Sequence, residues 1–320
     1  MRIHVLMLLM VHFSQPLAWG ESNVLRRIEH SHKKKKIIGY MTVRNEAIII
    51  EQAVRCFFNF IDELVILDDA SADETLTILK RLALELPITE IICNAASSRS
   101  VGCESDNHKK LLAAARRTKG THFICLDADE VFTSNCLVND YLKQQILKLK
   151  PGESIILPLI NLWDTTTTYR IDPEFKDFKC LAIFCDTKKA HFNTVPLHNP
   201  RVPQLRGKVY TLPAQYGILH YSFCSRENHS LKRAWYRCLE LVRGWYTAEI
   251  INMRYRLDWT APHVELATIP SEWISSYKIF DSNLYALPVD WRKEEVLFWF
   301  KERGRDFFKG LDIWDIDWNE

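Results

Sequence analysis

Three carboxylates stand within four residues at Asp127, Asp129 and Glu130, directly after the apolar run Phe123-Ile124-Cys125-Leu126. A run of that kind reads as a strand buried on both faces of a parallel sheet. Ligands of open α/β sheets gather at the carboxyl ends of such strands. Asp127 and Asp129 are two apart, so both side chains can project the same way from the strand end. Two hard oxygen ligands there suit Mg²⁺ or Mn²⁺ carrying a diphosphate. An acidic turn that caps the next helix would use the same residues, and the spacing alone leaves both readings open.

The surrounding elements decide between them. Residues 37–43 predict a short buried strand ended by Arg44-Asn45-Glu46, with Asn45 as N-cap of the next helix. In that helix Ile50, Val54, Phe57 and Ile61 recur at helical spacing. A second strand over 63–67 runs into Asp68-Asp69-Ala70-Ser71-Ala72-Asp73-Glu74. Ser71 and Glu74 have capping-box spacing for a helix up to Leu86, which Pro87 stops. A third strand over 88–93, a basic helix over 107–119 with Leu111, Leu112 and Ala115 inward, and the strand 122–126 complete the series. The alternation predicts a doubly wound parallel sheet with right-handed crossovers. Acidic or polar clusters then end strands one, two and four on one edge. That coincidence favours a ligand site.

Three stretches, Ile38-Gly39-Tyr40-Met41-Thr42-Val43-Arg44-Asn45-Glu46, Val65-Ile66-Leu67-Asp68-Asp69-Ala70-Ser71-Ala72-Asp73-Glu74-Thr75 and Cys125-Leu126-Asp127-Ala128-Asp129-Glu130, together resemble family 2 glycosyltransferases of the GT-A fold. The resemblance covers residues 36–150 and implies a Rossmann-like, mostly parallel sheet with flanking helices. It implies that Thr42, Arg44, Asn45 and Glu46 sit against the base and ribose of a nucleotide. Asp69 would accept a hydrogen bond from the base, commonly uracil. Asp127 would lie near the ribose and metal, and Asp129 would ligate the divalent metal, Mn²⁺ or Mg²⁺, that holds the diphosphate. Without the resemblance, Asn45 and Asp73 read as helix caps and Asp69 as an Asx-type turn. The family's usual Ala-Arg-Asn is absent. Ala114-Ala115-Arg116-Arg117-Thr118 stands in its place, and Lys109, Lys110 and Arg116 read as a solvated basic face.

Beyond residue 138 the pattern predicts a helix over 138–149, a strand over 154–162, a turn at 165–168 and a strand over 180–185. The resemblance gives this half the acceptor site and the base of inverting members. A subgroup carries His-Glu after a short strand, where this chain has His198-Asn199. An amide is no general base near neutral pH, which leaves His198 itself, Asp164 or Asp172 as candidates, or a histidine that only holds a loop. His220, after Gly217-Ile218-Leu219, is similar to the late histidine that completes the metal shell in many GT-A enzymes. Imidazole suits Mn²⁺ better than Mg²⁺; a core histidine is the plain alternative. From Leu231 to Met253 apolar residues recur every three to four positions, with Lys232, Arg233, Arg237, Arg243, Arg254 and Arg256 on the remaining surface. Such a helix lies on a membrane interface or, more simply, packs on its own domain. Eight of the ten tryptophans follow residue 230, and a second helical pattern covers 291–308, so a helical, Trp-rich C-terminal region is expected.

The net charge of +2 offers no global field for nucleic acid. Nine scattered cysteines without a C-x-x-C pair argue for a reducing compartment, hence the cytoplasm. Residues 1–20 read equally as a signal peptide, for export or a lumenal site, or as a weak membrane-associating leader; they are too short to span. The lysines at 33–36 would favour an anionic membrane surface, so peripheral association is part of the expectation. The chain thus divides into a leader and basic linker over 1–35, a GT-A domain over 36–225 with its nucleotide half at 36–150 and acceptor half at 151–225, and a helical extension over 226–320. The expected function is metal-dependent, inverting transfer of a sugar from a nucleotide sugar, UDP-linked, to an acceptor left open as glycan, lipid or protein. A nucleotidyltransferase is one alternative, though Gly39 alone makes no Gly-rich phosphate loop. A non-catalytic nucleotide-sugar-binding relative is the other, with Asn199 its sole support.

Overall fold

Strand β1 (Ile37–Val43) shows why the sheet forms. Ile37, Met41 and Val43 bury on one face with Val54, Phe57 and Leu79, while Ile38 and Tyr40 bury on the other with Val65, Leu111, Ala115 and Phe184. An apolar strand with a core on each side is the central strand of a three-layer α/β sandwich. Gly39 belongs to this strand because a Cβ there would stand 2.7 Å from Ile61 and 2.9 Å from the Phe57 ring. Its hydrogen lets helix α1 (Ile50–Phe57) close on the sheet.

The computed structural model describes residues 35–95, 104–193, 200–256, 263–276 and 291–319. The leader and most of the basic linker lie outside the described residues. Residues 36–320 form one compact unit, distinct from 1–35. After α1 come β2 (Glu63–Asp68), α2 (Thr75–Leu82), β3 (Ile88–Cys93), α3 (Glu104–Arg117) and β4 (His122–Cys125). These strands run parallel in the order β3-β2-β1-β4, as the alternation predicts. The register sets Val43 opposite Asp68, so the chain ends of β1 and β2 leave the sheet side by side.

In the second half two strands reverse direction. Beyond β4 the order continues β8 (Lys179–Cys185), β6 (Ser154–Asn161), β10 (Ile218–His220) and β5 (Glu130–Phe132), with β9 (Val209–Thr211) also on β6; β8 is antiparallel to both neighbours and β5 antiparallel to β10. Nine strands among the described residues therefore make one mixed, curled sheet. The helix expected over 138–149 is a 3-10 turn followed by α4 (Tyr141–Lys148), because Asn139 and Asp140 take positive φ and break it. A separate two-stranded antiparallel sheet pairs β7 (Thr168–Arg170) with β11 (Leu266–Thr268), and the short α7 (Ser271–Ile274) packs against the 3-10 turn.

Two expected caps are not formed. Asn45 sits at φ 54°, four residues before the N-cap Ile49, and no side chain caps α1. Ser71 and Glu74 form no capping box; the Asp73 carboxylate instead accepts from the Thr75 amide at 2.9 Å. The C-terminal pattern becomes α5 (Arg226–Val242) and α6 (Ala248–Arg254), separated at Gly244 with φ 66°, and α8 (Trp291–Arg303), ended at Gly304 with φ 79°. Trp235, Cys238, Ile251, Val296, Trp299, Phe300 and Trp318 bury in a separate core, so α5 packs on its own protein. The Trp235 indole donates to the Glu295 carboxylate at 2.8 Å, which ties α5 to α8.

Candidate active site

The loops after β1 and β2 are laced together by short polar side chains. The Asn45 amide oxygen accepts from the Ala72 backbone at 2.6 Å, and the Asn45 N–H donates to Ser71 Oγ at 2.9 Å. The Glu46 N–H donates to Thr75 Oγ1 at 2.9 Å and that of Ala47 to Asp73 Oδ2 at 3.1 Å. Asp69 follows β2 with its own N–H on the Val43 carbonyl, and the residue is 6% exposed. Its Oδ1 accepts from Asn94 Nδ2 at 2.5 Å; Asn94 also donates to Asn107 Oδ1 at 3.0 Å and accepts from Lys110 Nζ at 2.9 Å. Lys110 thus belongs to a chain of polar groups that holds Asp69, while Arg116 clamps Asp186 through two bonds of 2.8 Å. Neither is merely a solvated charge.

After β4 the chain makes the tight acidic turn. Glu130 is fully buried and accepts from the Asp127 N–H at 3.1 Å. Arg201 donates to both Glu130 oxygens at 2.5 and 2.8 Å and to Asp127 Oδ2 at 2.6 Å. The Tyr40 hydroxyl donates to the Arg201 carbonyl at 2.7 Å and fixes that residue's backbone. Burial alone would pull the Arg201 guanidinium down, but Asp127 and Glu130 beside it hold its pKa well above the ordinary value.

Asp129 is also buried, and strand register decides its neighbours. β5 and β10 pair so that His220 lies opposite Glu130, and β10 and β6 pair so that His220 lies opposite Asn161. His220 Nδ1 is 2.9 Å from Asn161 Oδ1, and an amide oxygen can only accept, so Nδ1 carries the hydrogen. The Nε2 face then meets Asp129 Oδ2 at 3.5 Å. Lys232 Nζ approaches the same oxygen at 3.8 Å and donates to Ser222 Oγ at 2.8 Å. Burial works against the Asp129 charge, but His220 and Lys232 more than offset it and hold its carboxyl far below the usual range. Glu46, half-buried in the same cleft as Asp129, is pushed up to about 8 by desolvation and, after it, by the Asp129 charge.

These side chains converge on one cleft of about 190 Å³. Thr42, Arg44, Glu46, Asp69, Asp127 and Asp129 line it, so the acids after β2 and β4 share one sheet edge. Asn107 and His108 of α3 form its inner wall; burial lowers the His108 pKa and keeps its ring neutral. The opposite wall comes from the C-terminal helices: Lys232, Trp235 and Tyr236 of α5, with Trp291 and Arg292 of α8. The Arg44 guanidinium lies over the Trp291 ring at 4.1 Å from its centre. Asn45 borders an adjoining pocket with Asp73, Ser222 and Asn228. His198 lies outside the described residues. Asp172 is unsuited to be a base, because it is fully buried in an ion pair with Arg170; Asp164 is exposed.

No local pattern marks Arg201, Asn94 or His108 as site residues, and Lys232 reads as one charge among several on a helix surface. A divalent cation fits the Asp129–His220 pair. Carboxylate and imidazole face each other 3.5 Å apart with Nδ1 already engaged, and two metal–ligand bonds of ~2.1 Å can span that gap. Among the described residues no group of three or more His, Cys, Asp or Glu side chains is arranged to hold a metal, so ligand oxygens or water would supply the rest of the shell.

A mixed α/β sheet with flanking helices and acids converging on one edge is the GT-A architecture. Residues 40–139 match the family model described as glycosyl transferase family 2. No curated protein matches the chain. Among solved structures, residues 1–349 of S. aureus TarS are similar at 14% identity, over 87% of this chain and 81% of that one, with a TM-score of 0.40. The mannosyltransferase PcManGT from Pyrobaculum calidifontis, in complex with GDP-Man and Mn²⁺, is similar at 15% identity over 73% and 74%, also at 0.40.

Proposed function

We propose that the protein transfers a sugar from a UDP-sugar to an acceptor hydroxyl, with a divalent metal and with inversion at the anomeric carbon. The observation that carries this reading is the meeting of Asp69, Asp127, Asp129 and, through Asp129, His220 at one cleft, although they come from the ends of three different strands. Asp69, held by Asn94, presents a fixed acceptor to the N–H edge of a uracil base. Asp127, locked by Arg201, faces the ribose with its remaining oxygen. Asp129 and His220 would hold Mn²⁺ or Mg²⁺, which supplies charge stabilisation for the departing diphosphate.

Desolvation first, and the Asp129 charge after it, push the Glu46 carboxyl up to about 8, and a cation held at Asp129 would offset the second of these. Direct displacement needs one base to take the acceptor proton, and His198 is the candidate the sequence offers. A cytoplasmic site of action is supported by eight free thiols among the described cysteines. Contact with an anionic membrane through the lysines at 33–36 is part of the proposal; among the described residues no helix is long and apolar enough to cross a membrane. The test is calorimetric titration of the full chain with UDP and with UTP, with Mn²⁺ and with EDTA, followed by UDP release from a panel of UDP-sugars. Metal-dependent UDP binding with slow UDP-sugar hydrolysis is expected. Binding of UTP alone, with pyrophosphate release, would instead establish a nucleotidyltransferase.

A further inference from the structure

The cleft has two chemically different ends, and at one of them residues inside the family match, Glu46 and Asp129, meet residues outside it, Lys232 and Arg292. Around Asp69, Asn107 and His108 it offers fixed acceptors and a neutral ring, which suits a nucleoside. Around Asp129 and Glu46 it offers Lys232 and Arg292, with Ser222 and Asn228 in the adjoining pocket. A nucleoside diphosphate entering this cleft brings several negative charges against Glu46, Asp127 and Asp129. Arg201 already gives three hydrogen bonds to Glu130 and Asp127 and is not among the residues that line the cleft. The Arg44 and Arg292 guanidiniums both lie over the Trp291 ring, at 4.1 and 4.7 Å from its centre, but of the two Arg292 alone lines both the cleft and the adjoining pocket. We infer that Lys232 and Arg292 form a phosphate-gripping pair that binds the donor's diphosphate directly, so that α5 and α8 complete the donor site.

The placement supports it. Lys232 has three donors; one goes to Ser222 Oγ at 2.8 Å, and the 3.8 Å approach to Asp129 is too long to be a tight bond. A donor is therefore left for a phosphate oxygen on the same side as the proposed metal. Arg292 lines both the cleft and the adjoining pocket, and its planar fork suits two phosphate oxygens at once. Neither residue floats: Lys232 stands one turn before Trp235 on α5, and Arg292 follows Trp291, whose ring meets Trp235 edge-on at 5.1 Å and 74°. The helix contact that buries the tryptophans also fixes the distance between the two cations.

The inference rests on the proposed donor reading, and the test separates the two. Full-length wild type, Lys232→Ala and Arg292→Gln are titrated with UDP, inorganic pyrophosphate and uridine, with Mn²⁺ and with EDTA. Each substitution should weaken UDP and pyrophosphate by about 10–100-fold, as expected for a charge-assisted bond, while uridine affinity stays within about two-fold. Should Lys232→Ala not fold, Arg292→Gln alone carries the test. Variants that bind UDP like the wild type would overturn the pair while leaving the glycosyltransferase reading intact. A uridine loss as large as the UDP loss would also overturn it, since the effect would then be on cleft shape. A wild type that binds no UDP would overturn both.

Discussion

Removing the Arg201 guanidinium should be among the most damaging single changes near the site. Arg201 satisfies both oxygens of Glu130, which is fully buried, and one oxygen of Asp127, whose side chain is 43% exposed. The two contacts differ in weight. The half-exposed Asp127 arm contributes about 0–1 kcal/mol, in the range of surface ion pairs. Without Arg201, Glu130 is left in the interior with the Asp127 N–H as its remaining donor in this network. Breaking a buried pair on one side costs about 3–5 kcal/mol, because the other charge stays uncompensated. Arg201→Gln should therefore lose roughly that amount, measured as a shift of the urea midpoint by tryptophan fluorescence at neutral pH. Adding Glu130→Gln removes the stranded charge, so the double variant should recover about 2 kcal/mol or more relative to additivity. An Arg201→Gln variant within 1 kcal/mol of wild type, or strictly additive losses, would refute the buried-clamp account.

Three further outcomes are expected. Asp129→Asn should abolish metal-dependent UDP binding in calorimetry; since Asp129 is buried between the His220 ring and the Lys232 ammonium, it should also cost about 1–3 kcal/mol in urea unfolding, more than an exposed polar change would. His220→Ala should lower UDP-sugar turnover by about 10–100-fold and Asn161→Ala by a smaller factor in the same direction, with UDP affinity changed far less; equal losses in binding and turnover would argue against a metal-side role. In EDTA, Glu46 has a folded pKa raised to about 8, so its stabilising contribution is full below its unfolded value near 4.5 and is lost as pH rises through 8. Wild-type stability should accordingly fall between pH 5 and 8 relative to Glu46→Gln, and parallel curves for the two proteins would contradict that burial effect.

The first four strands and three helices were legible in the sequence because their evidence is local. A doubly buried strand is an unbroken apolar run, a flanking helix repeats every three to four residues, and Asp69, Asp127 and Asp129 stand directly at the ends of such runs. Asn45 misled for an equally local reason: its residue type suits a helix cap and a left-handed turn alike, and only the chain's path at φ 54° chose the turn. The rest depended on tertiary structure. Arg201 meets Asp127 across 74 residues. His220 meets Asp129 because β5 folds back as an antiparallel edge beside β10, a register that no spacing encodes. Lys232 looked like its basic neighbours on α5 until the packing of Trp235 against Trp291 turned that face of the helix towards the cleft. Periodicity reports which side of an element is buried; which element it is buried against is settled by the folded chain alone.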